Sequence, residues 1–126
     1  MLDHQFYLEI NYQRAIFYEE LYKAGIKTIP QFSVDQYKLD LALFDETNLE
    51  RKLNIEIDGV EYHRDARGEL IIKDRIRNLK MIENGWDVKR FWVHEIRDNL
   101  EQCIQDIVDW KEYNEKVELF KGQQIL

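Results

Sequence analysis

Two consecutive segments alternate strictly, and together they restrict the fold more than any other feature. Tyr37–Phe44 reads YKLDLALF, with Tyr37, Leu39, Leu41 and Leu43 on one face and Lys38, Asp40, Ala42 and Phe44 on the other. Lys52–Asp58 reads KLNIEID, with Leu53, Ile55 and Ile57 facing inward. Period-two alternation is the pattern of half-buried strands. The polar stretch DETNLER, residues 45–51, lies between them, so the pair reads as an antiparallel hairpin with a loop. Residues i and i+2 of a strand share a face, roughly 6–7 Å apart. Glu56 and Asp58 therefore point the same way. Asp40, on the polar face of the preceding strand, falls beside Glu56 or diagonal to it. Like charges gathered on one sheet face repel, so the arrangement needs a reason.

The rest of the chain supplies a frame for that hairpin. Asn11 can cap a helix through QRAIFYEELYKA, and Gly25 can end it. Thr28–Val34 is a short extended segment whose Pro30 suits a sheet edge. A loop containing Gly59 and Gly68 follows the hairpin. Residues 69–84 form a second helix, with Leu70, Ile71, Ile76, Leu79, Met81 and Ile82 at helical spacing and Gly85 as the stop. WDVKRFWV, residues 86–93, is a fourth strand, whose Trp86, Phe91 and Trp92 read as core. A last helix, about 98–117, carries Leu100, Ile104, Ile107, Val108 and Trp110. At 126 residues the chain is one domain, residues 1–126. The order α-β-β-β-α-β-α places it in the α/β class, on its α+β border, with a central mixed four-stranded sheet flanked by helices.

Composition narrows the function. No 18-residue apolar run spans a membrane, and the N-terminus MLDHQFYLEIN lacks the apolar stretch of a signal peptide. One cysteine, Cys103, excludes an internal disulfide and a cysteine-cluster zinc site, so a reducing cytoplasm is the simplest setting. The net charge of −7 argues against gripping nucleic acid by overall charge. The distribution is uneven: −5 over residues 1–58, +2 over 59–94 and −4 over 95–126, from 6, 8 and 4 basic against 11, 6 and 8 acidic residues. A relatively basic middle directly follows the acidic strand.

A divalent cation relieves the carboxylate repulsion. Mg²⁺ takes hard oxygen ligands, commonly one or two carboxylates with water and substrate phosphate. Such an ion activates water and stabilises charge developing on a phosphoryl group. His63, across the Gly59 bend, can reach back as general base, phosphate hydrogen-bond donor or leaving-group acid. Lys73, Arg75, Arg77 and Lys80 on the next helix can meet a sugar-phosphate backbone. Each signal has a plainer reading. An Asp on a polar strand face is common, a lone loop histidine is more often structural, and bases alternating with acids fit a solvated helix face. His4, His94 and Cys103 carry no such context.

Four stretches in this order, D40-L-A-L, I55-E-I-D-G-V-E-Y-H63, K73-D-R-I-R-N-L and G85-W-D-V-K-R-F-W92, resemble the PD-(D/E)XK nuclease superfamily. Within it they most resemble the Vsr-type, very-short-patch-repair branch, found alone or fused to bacterial helicases. The resemblance covers roughly residues 11–97. It implies a restriction-endonuclease-like core and a Mg²⁺-dependent endonuclease (Mn²⁺ can substitute) that hydrolyses DNA phosphodiesters with an ion-activated water. Asp40 and Glu56 fall at metal-ligand positions. Asp58 falls where the superfamily has lysine or this branch its catalytic histidine, as a further ligand or base. His63 corresponds to a catalytic or phosphate-contacting histidine. Arg64, Lys73 and Arg77 are candidate phosphate contacts. DNA is the implied partner, with a helicase domain, another protein or a second copy as further possibilities. One departure stands out: the family's first helix often begins Ser-x-x-Glu, with the glutamate facing the metal. Counting back from Gly25, this chain has Asn11 and Arg14 there, and Glu9 falls before the helix. The alternative is therefore a catalytically impaired nucleic-acid-binding or docking module of a larger helicase-type protein.

Overall fold

The computed structural model describes residues 4–59 and 72–125, and the side chains of residues 10–59 and 75–113. The elements are α1 (His4–Lys23), β1 (Ile29–Val34), β2 (Tyr37–Asp45), β3 (Asn48–Asp58), α2 (Ile72–Glu83), β4 (Trp86–Trp92), α3 (Val93–Asp98) and α4 (Leu100–Ile125). They form one four-stranded mixed sheet in the order β1-β2-β3-β4. β1/β2 and β2/β3 are antiparallel, and β3/β4 is parallel, reached through the α2 crossover. The α+β reading holds, with a restriction-endonuclease-like arrangement of sheet and helices.

Several boundaries differ from those the sequence suggests. α1 begins at His4, well before Asn11, so Glu9 lies inside it. The helical stripe through Phe17 and Leu21 simply continues upstream, and a polar Asn in a helix does not have to be its cap. α1 ends at Lys23, just ahead of Gly25, whose φ of +84° closes a 6→1 hydrogen bond from Ile26 N–H to Leu21 O, 2.8 Å. The expected polar loop over residues 45–51 shrinks to a turn at Glu46–Thr47, and β3 resumes at Asn48. The last helical region is two helices, α3 and α4, with Asn99 between them.

The two faces of the sheet are covered unequally. One face carries the main core: Leu41, Leu43, Leu53, Ile55, Ile57 and Phe91 pack against Phe17 and Leu21 of α1, Ile96 of α3, and Cys103, Ile107 and Trp110 of α4. The other carries a smaller cluster of Leu39, Ala42, Met81 and Trp86, with Phe32, Phe44 and Val88 packed on it. There Phe32, Phe44 and Trp86 meet with ring centroids 5.4–5.8 Å apart. The strict alternation of β2 breaks at Asp40: Leu39 and Tyr37 join Ala42 and Phe44 rather than Leu41 and Leu43. Opposite this point, Gln31 of β1 has φ +53°. A left-handed residue in a strand locally re-aims the chain.

α2 is rotated so that, of its described apolar side chains, only Met81 enters the core, while Ile76, Leu79 and Ile82 are exposed. The face it turns to the sheet bears Arg77 and Asn78, which reach Glu56 and Arg90. Burying carboxylates on the sheet requires partners there, and that need fixes the helix rotation against its apolar periodicity.

Candidate active site

The β2 and β3 strands part where the acids lie. Their ladder runs from Asp45↔Asn48 to Leu41↔Ile55. Beyond it, the Ile57 N–H donates to Asp40 Oδ2, 2.8 Å, so the Asp40 carboxylate stands where a neighbouring strand carbonyl would otherwise accept. Glu56 and Asp58 follow on the same face. Asp40, Glu56 and Asp58 are all buried, and each offers an oxygen within 4.8 Å of the others.

Each carboxylate meets a different arginine, brought by a different element. Arg14 of α1 lies 2.9 Å from Asp40 Oδ1. Arg77 of α2 donates to Glu56 Oε1 and to the Lys38 carbonyl, both 2.8 Å. Its guanidinium also lies 5.4 Å from the Tyr37 ring centroid. Arg90 of β4 pairs with Asp58 and reaches Asn78 Oδ1 at 3.4 Å. The parallel register Glu56↔Arg90 and Asp58↔Trp92 brings Arg90 to these acids. The Nε atoms of Arg14, Arg77 and Arg90 are buried and make no hydrogen bond. Asn54, two residues before Glu56 on the same face, is fully buried, and neither amide atom makes a hydrogen bond of normal geometry.

Burial dominates the electrostatics. Removal from water pushes Glu56 up to about 8, helped by the Asp40 and Asp58 charges and opposed by Arg77 and, slightly, by Asn54. Asp40 is also raised, by burial first, against the pull of Arg14 and the Ile57 N–H. Burial and mutual repulsion therefore favour a protonated state of this cluster.

The structure brings together Asp40, Glu56, Asp58 and Arg77 from the residues the sequence singles out. His63 and Arg64 lie outside the described residues, as does the side chain of Lys73. Of the other helix bases, Arg75 and Lys80 are exposed. The sequence reading missed Arg90 and Asn54, and took Arg14 only as a lost acid. Alternation exposes the first two: Arg90 shares a face with Trp86 and Val88, and Asn54 with Glu56. Cys103 is buried with its thiol pushed up to about 11, chiefly by desolvation, and is inert as read.

A buried acid triad on a parted hairpin, backed by a parallel strand, is the setting in which a family match has meaning. The family model REase_MTES_1575 matches residues 13–110, most of the chain. The chain belongs to this restriction-endonuclease-like family. No curated protein and no solved structure matches it significantly. Membership in REase_MTES_1575 agrees with the PD-(D/E)XK resemblance at the superfamily level. The matched span includes all of the carboxylates and arginines described above. Among the described residues, no helix is long and apolar enough to cross a membrane.

Proposed function

We propose that the domain is a divalent-metal-dependent endonuclease acting on DNA, with Asp40, Glu56 and Asp58 as the metal ligands. The observation that carries this reading is the convergence of these buried carboxylates, with oxygens within 4.8 Å, in a restriction-endonuclease-like family member. The donor set fits a hard cation such as Mg²⁺ or Mn²⁺, because it is all oxygen. The orphaned amide of Asn54 adds a polar group with unmet hydrogen-bonding capacity beside it. A bound ion there supplies water activation and charge stabilisation on the phosphoryl group.

The chain's own residues do the rest. Asp40 is oriented by the Ile57 N–H, Glu56 by Arg77, and Asp58 by Arg90. Burial favours the protonated form of Glu56, so a bound cation would have to compete with that proton. His63, Arg64 and Lys73 are proposed phosphate contacts, with His63 also a candidate proton donor or acceptor. The Vsr-type branch is the finer assignment we favour, on the Glu56-x-Asp58-Gly59 run with His63 following. A cytoplasmic protein assisted by a helicase-type partner or a second copy is consistent with its acidity.

The test is cleavage of DNA in Mg²⁺ by the wild type, Asp40→Ala and Glu56→Ala. Equal cleavage by all three would sink the assignment. A second reading has its own observation: every carboxylate of the cluster already has an arginine partner. On that reading the domain is a non-catalytic nucleic-acid-binding or docking module. It would bind DNA equally well with and without EDTA and cleave none.

A further inference from the structure

The three arginines around the carboxylates are not held alike. Arg77 is anchored by both Glu56 and the Lys38 carbonyl, and Arg90 by both Asp58 and Asn78. Among the described residues, Arg14 has one contact beyond its own helix, the Asp40 carboxylate; its other partner is Asn11 Oδ1, one turn back, at 3.4 Å. Its side chain is partly open to solvent, as is that of Arg77 but less so that of Arg90. Asp40, in turn, has its Oδ2 engaged by the Ile57 N–H, which leaves Oδ1 as the oxygen free of the backbone. Arg14 Nη2 sits on that oxygen at 2.9 Å.

We propose that Arg14 is a built-in counter-cation of the site: its guanidinium and a divalent metal ion compete for Asp40 Oδ1, so that metal loading requires Arg14 to swing away. The proposal rests on the reading of Asp40, Glu56 and Asp58 as a metal site, and it adds a regulator to it. A buried carboxylate that stays ionised is costly without a cationic partner. Arg14 supplies one in the metal-free protein, and because its other partner, Asn11, lies on its own helix, its guanidinium can leave Asp40 without breaking a described contact to a second element. A guanidinium and a divalent ion sharing one carboxylate are like charges a few ångströms apart in a poorly solvated site, which lowers metal affinity by more than tenfold. Asn54 offers independent support that a ligand belongs here. It is fully buried beside Glu56 with both amide atoms unpartnered, a state that a well-packed apo site has no reason to keep.

The experiment is calorimetric titration of Mn²⁺ into the full 126-residue chain as wild type, Arg14→Gln, Arg14→Lys and Asp40→Asn, with circular dichroism of each to establish folding. Arg14→Gln is expected to bind Mn²⁺ at least about tenfold more tightly than wild type. Arg14→Lys keeps the charge but loses the planar fork, and is expected to fall between them. It carries the test if the glutamine variant does not fold. Asp40→Asn is expected to abolish binding. If Asp40→Asn abolishes wild-type binding but neither Arg14 variant tightens it, Arg14 is not a competitor, while the metal site stands. If no form binds Mn²⁺ at millimolar concentration, the metal site falls and this inference falls with it.

Discussion

The β2–β3 hairpin buries aspartates at both ends, and the two ends solve the same problem differently. At the turn, Asp45 is almost wholly buried yet locally satisfied. Its Oδ1 accepts from the Thr47 N–H at 2.9 Å and the Thr47 hydroxyl at 2.6 Å, and Arg51 stands 3.5 Å from Oδ2. Arg51 itself stacks 3.8 Å from the Trp110 ring centroid and donates to the Trp110 carbonyl. At the open end, Asp40 is joined by Glu56 and Asp58, and around them sit buried arginine Nε atoms and an asparagine amide with nothing to bond. One buried acid with a turn and an arginine is a structural device. Several acids drawn together, with unmet polar groups beside them, form a site that is complete only with something else in it.

Activity gives the largest contrast. Asp40→Ala and Glu56→Ala are each expected to reduce Mg²⁺-dependent DNA cleavage by at least about 100-fold, since a metal ligand supplies several kcal/mol of transition-state stabilisation. Asp45→Ala should leave cleavage per folded molecule unchanged. An equal loss at both ends would break the comparison.

Stability should invert the order. Asp45→Ala removes the turn's acceptor and leaves Arg51 half-paired, for a loss of about 3 kcal/mol in urea unfolding. Glu56→Gln removes a charge that burial already disfavours, and should cost far less at alkaline pH. The sign of the pH dependence follows from the raised Glu56. Between about 4.5, its ordinary value, and about 8, its folded value, the folded chain holds a proton that the unfolded chain has lost. This contribution is full below that window and is lost as pH rises through it, with a slope of up to about 1.4 kcal/mol per pH unit. Asp40 is shifted in the same direction. Urea denaturation between pH 5 and 9 should show falling stability in the wild type and a flatter profile in Glu56→Gln. Over the same range Mn²⁺ affinity should rise, because the ion must displace that proton.

Much of this was legible in the sequence, and the illegible parts share a cause. The hairpin and the shared face of Glu56 and Asp58 follow from period-two alternation, and the fourth strand's place after a helix from helical spacing ending at Gly85; both patterns are local. The break in alternation at Asp40 is not local: it depends on Gln31 of β1 and on the Ile57 N–H across the sheet. The rotation of α2 is likewise invisible to its own periodicity. Ile76, Leu79 and Ile82 predict one buried face, and Arg77, which pairs with Glu56, and Asn78, which accepts from Arg90, claim the other. Arg14 illustrates the limit best. Counting back from Gly25 points to Arg14, and Arg14 does face the acids. Spacing cannot say that an arginine in such a place neutralises the aspartate it meets.

The smallest effect concerns the residue between the two ends. Asn54 pairs with Ala42 in the middle of the β2–β3 ladder and is fully buried with both amide atoms unpartnered. If it belongs to the structural half of the hairpin, it is a defect, because a buried unpaired amide costs free energy that an apolar residue of similar size avoids. Asn54→Val should then stabilise the metal-free protein, by about 1 kcal/mol, and change nothing else. If it belongs to the carboxylate cluster, the same substitution should still stabilise the metal-free form but weaken Mn²⁺ binding several-fold, as loss of a polar group supporting a metal ligand does. The second pattern is the one expected, since Asn54 lies two residues before Glu56 on the same face of β3. A stabilised variant with undiminished Mn²⁺ affinity would move Asn54 to the other side of the comparison and shrink the site to its three acids and their arginines.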